Sequence, residues 1–423
     1  MSAVGEALTA SRRNYVDDFV RAQGFEGTSL NDEQVRTVFG LLSRLEELGT
    51  LHKHTGQNWE LCYAPLSRQR NVLTPVVDVL LRDWACQGLL RPLPSRSPLW
   101  PKGKRFALCL THDVDHVSGN LAKERLRSLP TFREAPGREK LIVGLSTART
   151  LALKTMLWKP APDPPLDIWL AEEEKHGFRS SLFFLASPLP APHWKDSFYS
   201  YDDRVTFEGR RARLRDVMAE IANRGWDVGL HGASRSSESA ALLASEKALV
   251  ERASGTPVVS TRQHHLFFDT RYTPHYQHMA SIQADSTIGS NIAPGFRCGT
   301  CFPYFLFDLY TDRPLDVLEA PLVIQDVALF NQLDMDESLA LAHCIELMEE
   351  VANVNGVLTV LWHNDVDQTS PRFRVYSELL RIAADCGAWG CSLADLNGWW
   401  RSRLASTPVD AAGAHSAVPV EAP

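Results

Sequence analysis

Asp113 and Asp115 stand two residues apart at the end of a strand-length apolar run, FALCLTHDVD from Phe106 to Asp115. In extended chain, residues two apart point the same way, so both carboxylates face one cavity. One can hold a metal while the other handles a proton. Three further apolar segments end in histidine: DVGLH at His231, VVSTRQHH at His264 and His265, and VLTVLWH at His363. Taken singly, each histidine reads as a hydrogen-bonded core residue, and an isolated D-x-D as a solvated turn. Together, four strand ends deliver Asp-x-Asp, His, His-His and His, and in α/β proteins reactive groups collect just past the carboxyl ends of the strands. A calcium loop beginning at Asp113 is excluded, because its fifth and sixth positions are Val117 and Ser118, where an oxygen ligand and a glycine are required.

In this order the motifs resemble the polysaccharide deacetylase (NodB-homology) family, metal-dependent hydrolases that remove N-acetyl groups from amino sugars. The resemblance runs from Trp100 to Trp400. It rests on THDVD, on GLHGAS from Gly229 to Ser234, on GFRCGTCFPY from Gly295 to Tyr304, and on VLWHN from Val360 to Asn364. With RQH added, the set is most similar to an exopolysaccharide-associated branch. There are two departures. Where the family has a second histidine four residues after the first, this chain has Arg235, which stays protonated and cannot bind a metal. The arginine motif is stretched, with Arg297 six residues before Pro303.

The resemblance implies a role for each residue. Asp115, His231 and His264, with His265 as second choice, hold a divalent ion; zinc suits nitrogen-rich ligation, and cobalt or nickel can substitute. Asp113 is the general base, oriented by Arg297. A backbone N–H near Tyr304 assists the oxyanion, and His363, kept charged by Asp326, is the general acid. Two alternatives stay open: a non-catalytic sugar-binding relative with a decayed metal site, which Arg235 favours, and an O-deacylase on the same scaffold.

Composition fits an enzyme of this size. The 423 residues are 44% apolar, ample for a core, and a formal charge of -7 argues against broad nucleic-acid binding. The amino terminus has no apolar h-region, so the expectation is a cytoplasmic protein. Eight cysteines lie scattered, which reads as free thiols, and Cys298-Gly-Thr-Cys301 lacks a second ligand pair. Between Leu121 and Pro160, nine Lys or Arg stand against three Glu. Such a basic insertion, spanning 118–165, suits a lipid-diphosphate-linked glycan or peripheral contact with an anionic membrane, or is simply solvated.

Periodicity and punctuation predict three regions. Residues 1–95 form a helix-rich unit in which Asn31 caps a helix, residues 100–400 form an α/β domain, and 405–423 form a disordered tail. Within the α/β domain, strands are expected at 106–115, 181–186, 226–230, 257–262, 282–286, 317–324, 356–362 and 388–392. Helices fall between them, among them 210–224, 237–253, 272–281, 335–353 and 372–385. Their alternation predicts a distorted or incomplete parallel β/α barrel.

Overall fold

The computed structural model describes residues 8–26, 30–48, 72–93, 98–117, 163–186 and 196–406, with the isolated positions 137 and 145. Most of the basic insertion and the tail from 407 onward lie outside the described residues. The expectations of lipid-linked substrate and membrane contact, which rest on that insertion, lie outside with them. No helix among the described residues is long and apolar enough to cross a membrane.

The chain builds a ten-stranded sheet of mostly parallel strands. In chain order these are β1 (Phe106–Val114), β2 (Ser181–Leu185), β3 (Asp227–Gly232), β4 (Ser260–Gln263), β5 (Ala284–Asp285), β6 (Tyr304–Asp308), β7 (Arg313–Glu319), β8 (Leu322–Gln325), β9 (Val357–Leu361) and β10 (Ala388–Cys391). Their order across the sheet is β6-β7-β5-β4-β3-β2-β1-β9-β8. β1 is buried along its whole length: its apolar run Phe106–Leu110 suits a parallel strand covered on both faces, and the polar Thr111, His112 and Asp113 that follow are buried with it. One part of it pairs with β10, from Phe106 to Cys109, and the part from Thr111 to Val114 pairs with β2. That fork distorts the sheet. The two ends of the sheet approach one another through the segment after β5, where Leu322 donates to the carbonyl of Ile288 and Gly295 donates to that of Val323. The result is the curled, incomplete α/β barrel expected from the sequence.

Several elements differ from expectation. Residues 210–224 begin as a hairpin, Arg204–Phe207 with Arg210–Arg213, and become helical only over Leu214–Asn223. The cause is the two-residue turn at Glu208 and Gly209, both at positive φ (47° and 73°), the geometry that a tight hairpin requires. The single strand expected at 317–324 is two, β7 and β8. Helices over Ala10–Ala22, Leu166–Lys175 and Leu393–Ser406, and the antiparallel edge strand β6, were not among the expected elements.

At the amino-terminal side, Asn31 caps the helix Asp32–Leu42 with a reciprocal Gln34 capping box. Helix Ala10–Ala22 packs on the β6 edge: the Tyr15 hydroxyl donates to the Phe305 carbonyl at 2.7 Å, and Arg12 pairs with Asp312 at 2.7 Å.

Candidate functional site

Parallel strands all point their carboxyl ends the same way, and the sequence-predicted residues sit at those ends. Asp113 is the penultimate residue of β1, and Asp115 lies just past it. His231 lies near the end of β3, and His264 follows β4. Asp326 follows β8, and His363 stands two residues past β9. His231 Nε2 lies 3.3 Å from Asp115 Oδ1 and 3.7 Å from Asp113 Oδ2. His264 Nε2 is 3.6 Å from Asp115 Oδ1, and His363 Nε2 is 3.7 Å from Asp115 Oδ2. The ligand atoms of Asp115, His231 and His264 lie within 4.8 Å of one another, a spacing one divalent ion can span.

Each imidazole is anchored through Nδ1. His231 bonds the Arg262 carbonyl at 2.8 Å, His264 the Asp196 carboxylate at 3.0 Å, and His363 the Asp326 carboxylate at 2.7 Å. In a neutral ring, the form a metal ligand needs, an Nδ1–H donated to a carbonyl or carboxylate leaves Nε2 with its lone pair facing the cavity. His231 Nε2, Asp113 Oδ1 and Asp115 Oδ1 are buried and have no hydrogen-bond partner among the described residues. Buried polar atoms are normally satisfied, so three together, all good donors to a hard or borderline cation, fit a metal site.

The electrostatics follow from this crowding. For Asp115, burial favours the neutral form, yet His264, His231 and His363 together hold its carboxyl well below the usual range. For His231, burial opposes the charge, but Asp113 and Asp115 outweigh it and raise the imidazole. Burial likewise opposes charge on His363, and Asp326, with help from Asp115 and Asp113, pushes it up to about 10.

One expected placement is corrected. Arg297 does not reach Asp113. Its guanidinium is taken by Glu47, at 2.9 and 3.0 Å, and by the Gly289 carbonyl at 2.6 Å. Arg44 bonds both Glu47 and the Arg297 carbonyl, and closes a buried ion-pair group. Burial opposes ionisation of Glu47, but Arg297 and Arg44 hold it down at about 2. Tyr304 lies on β6 in register with Glu319, its hydroxyl donating to Cys298 Sγ at 3.1 Å and its ring 6.4 Å from that of Phe19. That pairing sets Tyr304 at the carboxyl end of β7, the same end of the sheet as the carboxylates and imidazoles, with its side chain turned into the packing of the first helix.

The arginine that faces Asp113 is Arg262. Its Nε lies 3.7 Å from Asp113 Oδ1, while its NH2 donates to Thr111 Oγ1 and Ser286 Oγ, both at 2.9 Å. The sequence carried a signal for it: the period-two rule that aligns Asp113 with Asp115 also aligns Arg262 with His264. Asp196 had no such signal, being a lone aspartate in KDS. His265, the second choice of ligand, turns at φ 56° and stacks on His264 with ring centroids 4.0 Å apart.

No protein-family model matches the chain, and no curated protein matches it. Among solved structures, the chain is similar to one named "putative polysaccharide deacetylase" from Mycobacterium smegmatis, at 17% identity over 78% of this chain and 99% of that one, with a TM-score of 0.46. It is also similar to a probable polysaccharide deacetylase from Pseudomonas aeruginosa PAO1, at 11% identity over 73% and 95% of the two chains, TM-score 0.44. A third neighbour is peptidoglycan deacetylase PdaC from Bacillus subtilis, at 13% identity over 71% and 94%, TM-score 0.33.

Proposed function

We propose that this chain is a metal-dependent hydrolase that removes an N-acetyl group from an amino sugar in a polysaccharide or its precursor. The observation that carries the reading is the convergence of Asp115, His231 and His264, the first two with unsatisfied buried atoms, beside a separate carboxylate and a separate imidazole. Asp115, His231 and His264 would hold a divalent ion, zinc being best suited to two imidazoles and a carboxylate, and the ion would supply Lewis acidity toward water and an acyl carbonyl.

The chain's own groups divide the proton work. Asp113, outside the candidate ligand set, accepts a proton from the attacking water, and Arg262 supplies the nearby positive charge that a buried carboxylate needs. His363, charged through Asp326, donates a proton from Nε2 to the departing nitrogen. The amide C–N bond breaks, water adds to the acyl carbon, and acetate and free amine result. Arg235 is no obstacle in this reading, since His264 supplies the third ligand from the turn after the neighbouring strand.

Zinc-supplemented protein offered hexa-N-acetylchitohexaose should release acetate and an equal amount of free amine. Release of acetate from O-acetylated xylan oligosaccharides alone would point to the O-deacylase. Glycan binding without either release would favour the sugar-binding alternative.

A further inference from the structure

We propose that Asp196 is the positioning residue that makes His264 the third metal-binding arm, an inference that rests on the hydrolase reading above. Asp196 is 7% exposed, and one of its oxygens, Oδ1, gathers three donors: the Ser234 backbone N–H at 2.9 Å, the Ser234 hydroxyl at 2.6 Å and His264 Nδ1 at 3.0 Å. Three donors on one carboxylate oxygen fix it in place, and a fixed acceptor on Nδ1 sets both the ring plane and the tautomer of His264. Nε2 is then the lone-pair nitrogen, and it is the nitrogen that faces Asp115 at 3.6 Å.

The local backbone explains why the ring needs such a hold. β4 ends at Gln263, so His264 begins a short 3-10 turn, and His265 and Leu266 both stand at positive φ, 56° each. A histidine on a turn has less rotational restraint than one inside a strand, as His231 is. Ser234 supplies the missing restraint from the next strand: it follows β3 by two residues, so through Asp196 the loop after β3 is tied to the turn after β4. That loop is braced in turn by Glu246, which accepts the Ala233 N–H at 3.1 Å. Arg235, next in sequence, has no lone pair to offer a cation, so the loop contributes support and its neighbour contributes the ligand.

The test uses zinc alone as probe, titrated against the full-length chain in competition with a chromophoric chelator. Wild type, Asp196→Asn, Asp196→Ala, Ser234→Ala and His264→Ala are compared after near-UV circular dichroism has checked each fold. Loss of a carboxylate behind a ligating histidine should weaken zinc binding by about 10- to 100-fold in Asp196→Ala and by about tenfold in Asp196→Asn. Ser234→Ala, which leaves the carboxylate in place, should weaken it less than either. Cobalt-loaded Asp196→Asn should also show altered d–d absorption, which a purely structural role would leave alone. If Asp196→Ala does not fold, the isosteric Asp196→Asn carries the comparison. Binding by the folded aspartate variants within about twofold of wild type, alongside loss in His264→Ala, would overturn the positioning role. Absence of zinc binding by wild type itself would overturn the hydrolase reading and this inference together, so the wild-type value and the variant ratio report separately.

Discussion

His112 and Asp113 are neighbours on β1 and look out on opposite faces of the sheet, and the two faces treat polar atoms in opposite ways. On the outer face, His112 Nδ1 bonds the Trp362 carbonyl at 2.7 Å and Nε2 bonds Glu173 at 2.8 Å. Glu173 also accepts from Trp226 Nε1 at 2.7 Å and from the Tyr376 hydroxyl at 3.0 Å. Both side chains of the pair are buried and every nitrogen of the ring is used. On the inner face, Asp113 and His231 are buried and Asp115 is partly so, yet each keeps a buried atom that bonds nothing among the described residues. The same residue type, buried histidine, therefore carries different meanings on the two faces. A saturated imidazole holds strands together, and an unsaturated one is reserved for a ligand.

The largest effect expected from this contrast is on the inner face. His363→Ala should lower turnover about 10²- to 10⁴-fold, the range for acid–base groups, with zinc still bound. Steady-state rates on the acetylated oligosaccharide, together with metal analysis, check it. Unchanged turnover would remove His363 from the chemistry.

On the outer face the effect should fall on stability instead. His112→Ala takes one of three donors from buried Glu173, and breaking a buried pair costs about 3–5 kcal/mol. Urea unfolding should show that loss, while the fraction that remains folded binds zinc as wild type does. The contrast between faces fails if His112→Ala unfolds like wild type but loses zinc.

The Glu47 group is a second saturated site, and its expected cost is somewhat smaller and depends on pH. Its folded value, about 2, lies below the ordinary 4.5. The pairing therefore stabilises fully above about pH 4.5 and is lost as pH falls toward 2, with a linkage of about 3 kcal/mol. Glu47→Gln should be destabilised against wild type at pH 7, and the gap should narrow at pH 3. A gap of equal size at both pH values would mean that packing, and not the ion pair, joins Glu47 to Arg297.

What could be read from the sequence follows the same division. Long buried strands advertise themselves as apolar runs, so the ends of β1, β3, β4 and β9 were legible, and with them Asp113, Asp115, His231, His264 and His363. Arg297 was placed by its motif, and its partner Glu47 stands 250 residues away in sequence, beyond any local pattern. The hairpin at 204–213 was hidden because Glu208 takes a positive φ that its residue type does not announce. Asp196 was illegible for a related reason. Its meaning comes entirely from Ser234 and His264, which only the fold brings to it.

Metal content of Asp113→Asn and Asp115→Ala, measured beside wild type after zinc supplementation, tests the central claim most directly, because the two carboxylates differ by two positions and by one assigned role. Wild type and Asp113→Asn should each retain zinc, the latter without turnover, and Asp115→Ala should lose zinc and turnover together. Equal zinc loss in both variants would contradict the division between base and ligand, and a wild-type chain that takes up no zinc, cobalt or nickel would contradict the inner face as a metal site.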